Sequence, residues 1–147
     1  MLVTYQLEPD LSTEEFINLM ERSGLAERRP LKDSSRVLRM LKNSDLILTA
    51  RNEEALLIGV SRCITDFALC CYCSDLAVDR KWQRQGIGRE LLQKSQTAAG
   101  EDCLFHLLSS PSAMSYYIHA GLEKFDMCFG VRRIQRPSAK GSTLSKT

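Results

Sequence analysis

The chain has 147 residues, of which 44% are hydrophobic and 26% are charged, and this composition predicts one globular domain with its own core. No apolar run approaches the ~20 residues that a membrane-spanning helix requires, so we expect no membrane partner. The first ten residues carry no basic cluster and already contain acidic ones, which argues against a signal peptide. We therefore expect a cytoplasmic protein.

The net charge of +2 hides an uneven distribution. Five of the 20 basic residues lie in 132–147, where there is no acid, so the rest has 15 basic against 18 acidic residues, a net charge of −3. A nucleic-acid-binding protein would carry its basic residues on the folded surface. We expect no nucleic-acid partner, a folded domain at 1–135 and a basic polar tail at 136–147, with an interaction role for the tail as the alternative.

Six cysteines raise the question of disulfides or a metal site. A disulfide framework is typical of secreted proteins, and no secretory signal accompanies these cysteines. Cys71 and Cys73 share a face of a predicted strand, but no matching Cys or His pair occurs elsewhere to complete a zinc site. We expect reduced cysteines and no metal.

Hydrophobic periodicity and capping signals predict alternating strands and helices. Ser12 and Glu15 form a capping box that begins the first helix, and Gly100 ends the third. In chain order we predict a strand at 2–7, helices from 13 to 24 and from 33 to 43, strands at 45–51, 55–64 and 69–78, a helix from 87 to 99, a strand at 103–108, a helix at 112–120 and a last strand or strand pair at 122–135.

The segment 76–92, LAVDRKWQRQGIGRELL, predicts a buried strand end, a glycine turn and the start of an amphipathic helix. The first N–H groups of a helix lack intrahelical partners and lie at the positive end of its dipole, so such a turn suits a diphosphate. Gly86 and Gly88 let the backbone approach the anion. No Lys-Ser or Lys-Thr follows, which excludes a P-loop, and Leu91 stands where a dinucleotide fingerprint needs its third glycine.

The remaining pattern, Gln83-x-x-Gly86-x-Gly88, resembles the coenzyme A signature [RQ]-x-x-G-x-[GA] of the GNAT N-acetyltransferase superfamily. A second match to the family is A-x-x-[FY]-Y-x-x-x-G-[FL] at 113–122. The resemblance spans about residues 1–135 and implies an α/β fold of mixed α+β type, β-α-α-β-β-β-α-β-α-β, around a splayed mixed sheet. Ser110 stands where many members have Asn, and Leu122 replaces the common Phe.

The resemblance implies acetyl-CoA as the cosubstrate. Backbone groups of the strand end would pair with pantetheine amides, and the loop would bind the diphosphate through N–H groups, with charge from two arginines whose alternative role is solvated surface. The cofactor-binding residues so implied are Leu76, Ala77, Val78, Arg84, Gln85, Gly86, Ile87, Gly88, Arg89 and Ser110.

Acetyl transfer to an amine needs a group that stabilises the departing thiolate and a route for the amine proton. The family pattern puts Tyr117 beside the sulfur as the acid, and its neighbour Tyr116 would point elsewhere because adjacent helical residues face about 100° apart. Asp75 is the first candidate for the base, since an apolar strand should raise the pKa of its carboxyl. His106 and His119 are the alternatives. The alternative for Asp75 is a carboxylate that a neighbouring group or water satisfies.

Acceptor choice, by the same resemblance, would come from the C-terminal strands and from the loop between the first two helices, which contains Arg28 and Arg29. Two arginines could recognise a carboxylate or phosphate, or they could be solvated. We predict an N-acetyltransferase acting on a primary amine of a small molecule by direct attack in a ternary complex. A protein or peptide N-acetyltransferase and a non-catalytic acyl-CoA sensor are the alternatives, and a homodimer remains open.

Overall fold

The computed structural model describes residues 2–133, which form a five-stranded sheet with helices on both faces. The strands are β1 (Thr4–Leu7), β2 (Leu46–Arg51), β3 (Leu57–Thr65), β4 (Cys70–Val78) and β5 (Leu104–Leu107). The helices are α1 (Thr13–Ser23), α2 (Ser34–Lys42), α3 (Ile87–Ala99) and α4 (Met114–His119). Short 3₁₀ helices occupy Ala26–Arg28, Arg80–Trp82 and Pro111–Ala113.

The sheet follows the order β1-β2-β3-β4-β5 and is mixed. The first four strands pair antiparallel, whereas β4 and β5 are parallel. The parallel pairing ends where Cys73 faces Leu107, although β4 continues for five more residues. The two strands therefore separate at this point, as predicted for a splayed sheet.

Two apolar layers hold the sheet between its helices. Helices α1 and α2 contribute Phe16, Leu19, Met20 and Val37 to the layer on one face, and none of these side chains is exposed. Helix α3 covers the other face through Ile87, Leu91 and Leu92, which meet residues from β2, β3 and β4, including three buried cysteines. Burial on both faces fixes the position of β4 in the middle of the fold.

Side-chain caps begin the two N-terminal helices. Ser12 accepts a hydrogen bond from the Glu15 N–H at 3.2 Å, which confirms the predicted start of α1. Asp33 does the same for α2, since its carboxylate accepts from the Arg36 N–H at 3.0 Å. Gly24, with a left-handed φ of +92°, ends α1, so Gly24 and the Asp33 cap bound the loop between the two helices.

The predicted last strand at 122–135 is wrong as far as the structure describes it, because residues 122–133 contain no strand. The apolar residues from Phe125 to Val131 alternate as in a strand, but Phe129 and Val131 are almost fully exposed. Alternation specifies a strand only where a face can be buried, and neither a partner strand nor a helix covers this segment within the described residues. Residues 134–135 and the predicted tail at 136–147 lie outside the described residues.

None of the helices described within residues 2–133 combines the length and the apolar character needed to cross a bilayer.

Candidate active site

A cleft of about 670 Å³ opens where β4 and β5 separate. One wall is the final part of β4, and the others are the loop before α3, the end of β5 with α4, and the 3₁₀ helix at Ala26–Arg28. The volume lies in the range of small-molecule sites. The topology therefore creates a ligand-sized opening at a sheet position that the sequence marks with glycines.

Nine of the ten predicted cofactor-binding residues line this cleft, together with Tyr117. Gln85 does not line it, because its side chain turns back toward the Lys81 carbonyl oxygen, 3.5 Å away. Asp75 does not line it either. The lining residues among those predicted are Leu76, Ala77, Val78, Arg84, Gly86, Ile87, Gly88, Arg89 and Ser110.

The loop before α3 adopts a backbone suited to an anion. Arg84 and Gly86 both have left-handed φ angles, +63° and +86°, and no side chain caps the N-terminus of α3 at Gly86. A non-glycine residue in that conformation stores strain, which is typical of functional turns. The turn leaves the first N–H groups of a 13-residue helix facing the cleft, where the helix dipole favours negative charge.

Gly88 is needed for the close approach of another side chain. A Cβ at this position would lie 2.4 Å from the Tyr116 hydroxyl oxygen and 3.7 Å from Val78. Tyr116 therefore reaches from α4 across the opening to the first turn of α3, and it lines the cleft. Both adjacent tyrosines line the cleft with ring centroids 5.2 Å apart, and the Tyr116 hydroxyl points toward the glycine loop, as expected for neighbouring residues of a helix that face different directions.

The final residues of β4 present backbone groups to the cleft. The Asp79 N–H donates to the Ile58 carbonyl oxygen on the β3 side at 2.8 Å. Backbone groups alternate between the two edges of a strand, so those of Leu76 and Val78 point away from β3 and toward the opening. The Val78 carbonyl oxygen already accepts a hydrogen bond from the Gln83 side chain at 2.9 Å.

A β-bulge in β4 lies directly before this segment. Asp75 pairs with Arg62 and Cys73 pairs with Cys63, which leaves Ser74 without a partner on β3. The Ser74 carbonyl oxygen accepts from the Arg29 guanidinium at 2.8 Å, and its hydroxyl oxygen accepts from Arg62 at 2.8 Å. Bulges often reorient a strand next to an active site, and here two arginines hold the bulge in place.

Asp75 completes this arrangement as a buried anion between two cations. Its side chain is fully buried, one oxygen pairs with Arg29, and the other lies 2.5 Å from Arg62 Nε. The two guanidinium groups satisfy the carboxylate, which agrees with the alternative of an Asp75 paired with its neighbours. A carboxylate so paired and turned away from the cleft is placed to fix Arg29 and Arg62 and the bulge, not to reach an acceptor.

Tyr117 lies at the end of the cleft where the strands separate. It packs with Cys73, Leu92 and Leu107. Burial, followed by the charge of Cys73, raises the pKa of Tyr117 to about 12, while the positive charges of Arg29 and Arg28 act in the opposite direction. The phenol therefore keeps its proton at neutral pH and is available as a donor.

The two histidines lie in different surroundings. His106 is on β5 beside Tyr72, with ring centroids 5.3 Å apart. Its buried Nδ1 has no hydrogen-bond partner among residues 2–133, and it does not line the cleft. His119 lines the cleft and is exposed, and its Nδ1 lies 2.7 Å from the Ser115 carbonyl oxygen. His119 follows Tyr116 by three residues and so shares its side of α4, toward the phosphate end.

Sequence reasoning missed several contributors to the site. Ser74 and Arg62 act through the bulge, and Trp82 and Ser112 line the cleft. No local pattern marks a bulge or a pair of cross-strand ion partners, so these residues carried no signal. Within residues 2–133 no group of three or more His, Cys, Asp or Glu residues is arranged to hold a metal ion.

Comparison with known families gives a match that covers more than half of the chain. The acetyltransferase (GNAT) domain matches residues 43–123, which include β2 to β5, the glycine loop and α4. No curated protein matches the sequence.

Solved structures of acetyltransferases share the fold. A GNAT family acetyltransferase from Streptococcus pneumoniae TIGR4 superposes with a TM-score of 0.73 at 21% identity, over 92% of this chain and all of the other. An aminoglycoside acetyltransferase from an uncultured soil metagenomic sample, in complex with sisomicin, gives 0.66 at 20% identity over 90% and 97% of the two chains. A ribosomal-protein-alanine N-acetyltransferase from Brucella melitensis biovar Abortus 2308 gives 0.67 at 15% over 91% and 100%.

Proposed function

The chain belongs to the GNAT acetyltransferase family, and from this premise we propose that it transfers an acetyl group from acetyl-CoA to a primary amine of a small molecule. One observation carries the proposal. One end of a single cleft has an uncapped helix N-terminus and a strained glycine turn. The other end, at the point of strand separation, has the half-buried phenol of Tyr117. The two ends suit a diphosphate and a thioester respectively.

Residues of the loop and of β4 hold the cosubstrate in this proposal. The N–H groups at the start of α3, with Arg84 and Arg89 beside them, bind the diphosphate. The backbone groups of Leu76 and Val78 bind the amides of the pantetheine arm, and Gln83 gives up its bond to the Val78 carbonyl oxygen when they do. Ser110 lines the far side of the same cleft.

Tyr117 stabilises the leaving group. The amine nitrogen attacks the thioester carbonyl carbon, a C–N bond forms, and the C–S bond breaks with its electron pair on sulfur. Because the pKa of Tyr117 is about 12, well above the reference of about 8.5 for a thiol, full proton transfer from the phenol to the thiolate is uphill. The hydroxyl instead donates a hydrogen bond to the developing thiolate, and solvent supplies the final proton.

The amine proton leaves without a dedicated base. Asp75 is held in two ion pairs beneath the cleft, and His119 lies toward the phosphate end. No Asp or Glu of residues 2–133 lines the cleft to accept the proton. We infer that the acceptor enters as the neutral amine and that its proton passes to solvent. Asp75 acts as a positioning residue through Arg29 and Ser74.

Thiol release in the presence of candidate amines tests the proposal. Free CoA is followed with a thiol reagent, and the acetylated product is identified by mass spectrometry. The expected result is amine-dependent release by the wild type and loss of that release in Gly86→Asp. Binding of acetyl-CoA without release of CoA for any small amine would contradict the proposal. If peptides also gave no release of CoA, a non-catalytic acyl-CoA sensor would be favoured.

A further inference from the structure

Among the described residues, the charged side chains that line the cleft are all positive. Four arginines line it, and no Asp or Glu of residues 2–133 does. The four fall into two pairs at different ends. Arg84 and Arg89 belong to the glycine loop, while Arg28 and Arg29 border the reactive end.

The charges of Arg28 and Arg29 reach the reactive end directly. Both lower the pKa of the Tyr117 hydroxyl against the effect of burial, so both cations lie within electrostatic range of the phenol. Arg29 comes from the same loop as Arg28, and Asp75 and the Ser74 carbonyl oxygen hold its guanidinium in place. Arg28 is exposed, and its side chain makes no ion pair with any described carboxylate.

The charge balance beside Tyr117 is therefore positive. In the part of the chain that the structure describes, Asp75 is the one anion that pairs with Arg29 and Arg62, so two positive charges meet one negative charge. Arg28 adds another positive charge. Arg29 uses three of its five N–H groups on Asp75, Ser74 and the Arg28 carbonyl oxygen, and two remain for a ligand. A planar guanidinium with free N–H groups matches carboxylate and phosphate geometry.

We propose that the acceptor carries an oxyanion, a carboxylate or a phosphate, in addition to the amine that is acetylated, and that Arg28 with the free N–H groups of Arg29 binds it. This inference rests on the proposed function. It separates this chain from enzymes whose acceptors are polycations, because a polycationic amine would bring positive charge beside Arg28, Arg29 and Arg62 without a carboxylate in the lining to receive it.

Three acceptors of equal chain length test the charge requirement. In 4-aminobutyrate, butylamine and 1,4-diaminobutane the reacting amine is the same, while the far group is a carboxylate, a methyl group or an ammonium. A second series compares O-phosphoethanolamine with ethanolamine and tests a phosphate in place of the carboxylate. The two series together show which oxyanion the enzyme prefers. For each pair kcat/KM is measured by thiol release in the wild type, in Arg28→Gln and in Arg36→Gln, whose residue is exposed on α2 and away from the cleft.

We expect a higher kcat/KM for the anionic acceptor in at least one of the two series. In the four-carbon series, kcat/KM should decrease from the carboxylate to the methyl to the ammonium compound. Arg28→Gln should reduce the ratio of anionic to neutral kcat/KM by about tenfold, mainly through the KM of the anionic acceptor. Arg28→Lys should restore part of it, and added salt should weaken it. The KM for acetyl-CoA should stay unchanged in Arg28→Gln, and Arg36→Gln should give the same ratio of anionic to neutral kcat/KM as the wild type.

Two results separate failure of this inference from failure of the function. Efficient acetylation of butylamine or 1,4-diaminobutane with no gain from an oxyanion would overturn the inference and leave the acetyltransferase proposal intact. The same holds if Arg28→Gln and Arg36→Gln give equal ratios. Absence of acetyl transfer to every amine, with acetyl-CoA still bound, would overturn both.

Discussion

The two ends of the cleft are built by different means. The phosphate end consists of consecutive backbone, from Arg84 to the first turn of α3, and its chemistry resides in N–H groups and φ angles. The reactive end depends on side chains. Arg29 and Tyr117 line it, and Asp75 and Arg62 hold Arg29 and the bulge from beneath through ion pairs. Substitutions should therefore act on binding at one end, and on stability and turnover at the other.

This difference predicts that the two ends tolerate substitution differently. A backbone site depends on a few residues that leave room and permit an unusual turn, so only a residue that blocks or repels the ligand should damage it. A buried side-chain network has no spare partner, and removal of one member leaves the others unpaired in a medium of low dielectric constant.

The largest expected effect belongs to the reactive end. Asp75→Asn removes the anion between Arg29 and Arg62 and leaves two guanidinium groups with no countercharge. Breaking a buried ion pair in this way costs about 3–5 kcal/mol of the free energy of unfolding. Urea unfolding of wild type and variant measures the change. Asp102→Asn, at an exposed position, should stay within about 0.5 kcal/mol. Equal stability of Asp75→Asn and wild type would mean that the network is not what holds the bulge.

Tyr117→Phe should separate turnover from binding. The ring keeps its packing against Cys73 and Leu107, and only the donor to the thiolate is lost. We expect kcat to fall by about tenfold to a thousandfold, with little change in the KM for acetyl-CoA. Steady-state kinetics with an identified acceptor gives both constants.

Tyr116→Phe is the matched variant for Tyr117→Phe, since its hydroxyl lies against Gly88 at the phosphate end. It should affect the KM for acetyl-CoA, if it affects either constant, and leave kcat close to the wild-type value. A larger loss of kcat in Tyr116→Phe than in Tyr117→Phe would reverse the assignment of the two tyrosines.

Gly86→Asp should damage the phosphate end while preserving the reactive end. A Cβ at Gly86 meets no atom within 4 Å, and Asp tolerates the left-handed φ of +86° better than most residues, so the chain should fold. The added carboxylate would repel the diphosphate, and the affinity for acetyl-CoA should fall by about tenfold to a hundredfold. Gly86→Asn is the control, because it has the same size and backbone preference without the charge. Equal calorimetric affinities of Asp and Asn variants would show that no anion binds there.

The pH dependence of turnover should report the acceptor and not the protein. Burial raises the pKa of Tyr117 to about 12, which favours the neutral phenol, so the donor is present below that pKa and is lost only as the pH rises through it. The rate should therefore show no fall attributable to Tyr117 up to about pH 10. Its rising limb should follow the acceptor amine, because the neutral form attacks.

Two acceptors with different amine pKa values provide the check on this profile. Their rising limbs in kcat/KM should be displaced by the difference between the two amines. Coincident limbs would identify a titrating base on the protein and contradict the direct loss of the proton to solvent.

The contrast between the two ends also governs what the sequence could predict. Local sequence patterns predict the glycine loop, the helix caps and the four antiparallel strands. In the structure their bounds differ from the predicted ones by at most two residues. The bulge at Ser74 and the pairing of Asp75 with Arg29, which is 46 residues away, depend on the registration of distant elements. Hydrophobic alternation after Leu122 predicted a strand that the described residues do not form. The prediction failed because alternation does not show whether a partner strand is present.

Amide hydrogen exchange with and without acetyl-CoA tests the central claim most directly, since it locates the ligand on the backbone that is proposed to bind it. The account predicts slower exchange in two separate segments, Ser74–Val78 of β4 and Arg84–Glu90 at the start of α3, with no change in α2. Gly86→Asp should lose the second effect at the same ligand concentration. Protection confined to other segments, under conditions where calorimetry registers binding, would contradict the assignment of this cleft as the acetyl-CoA site.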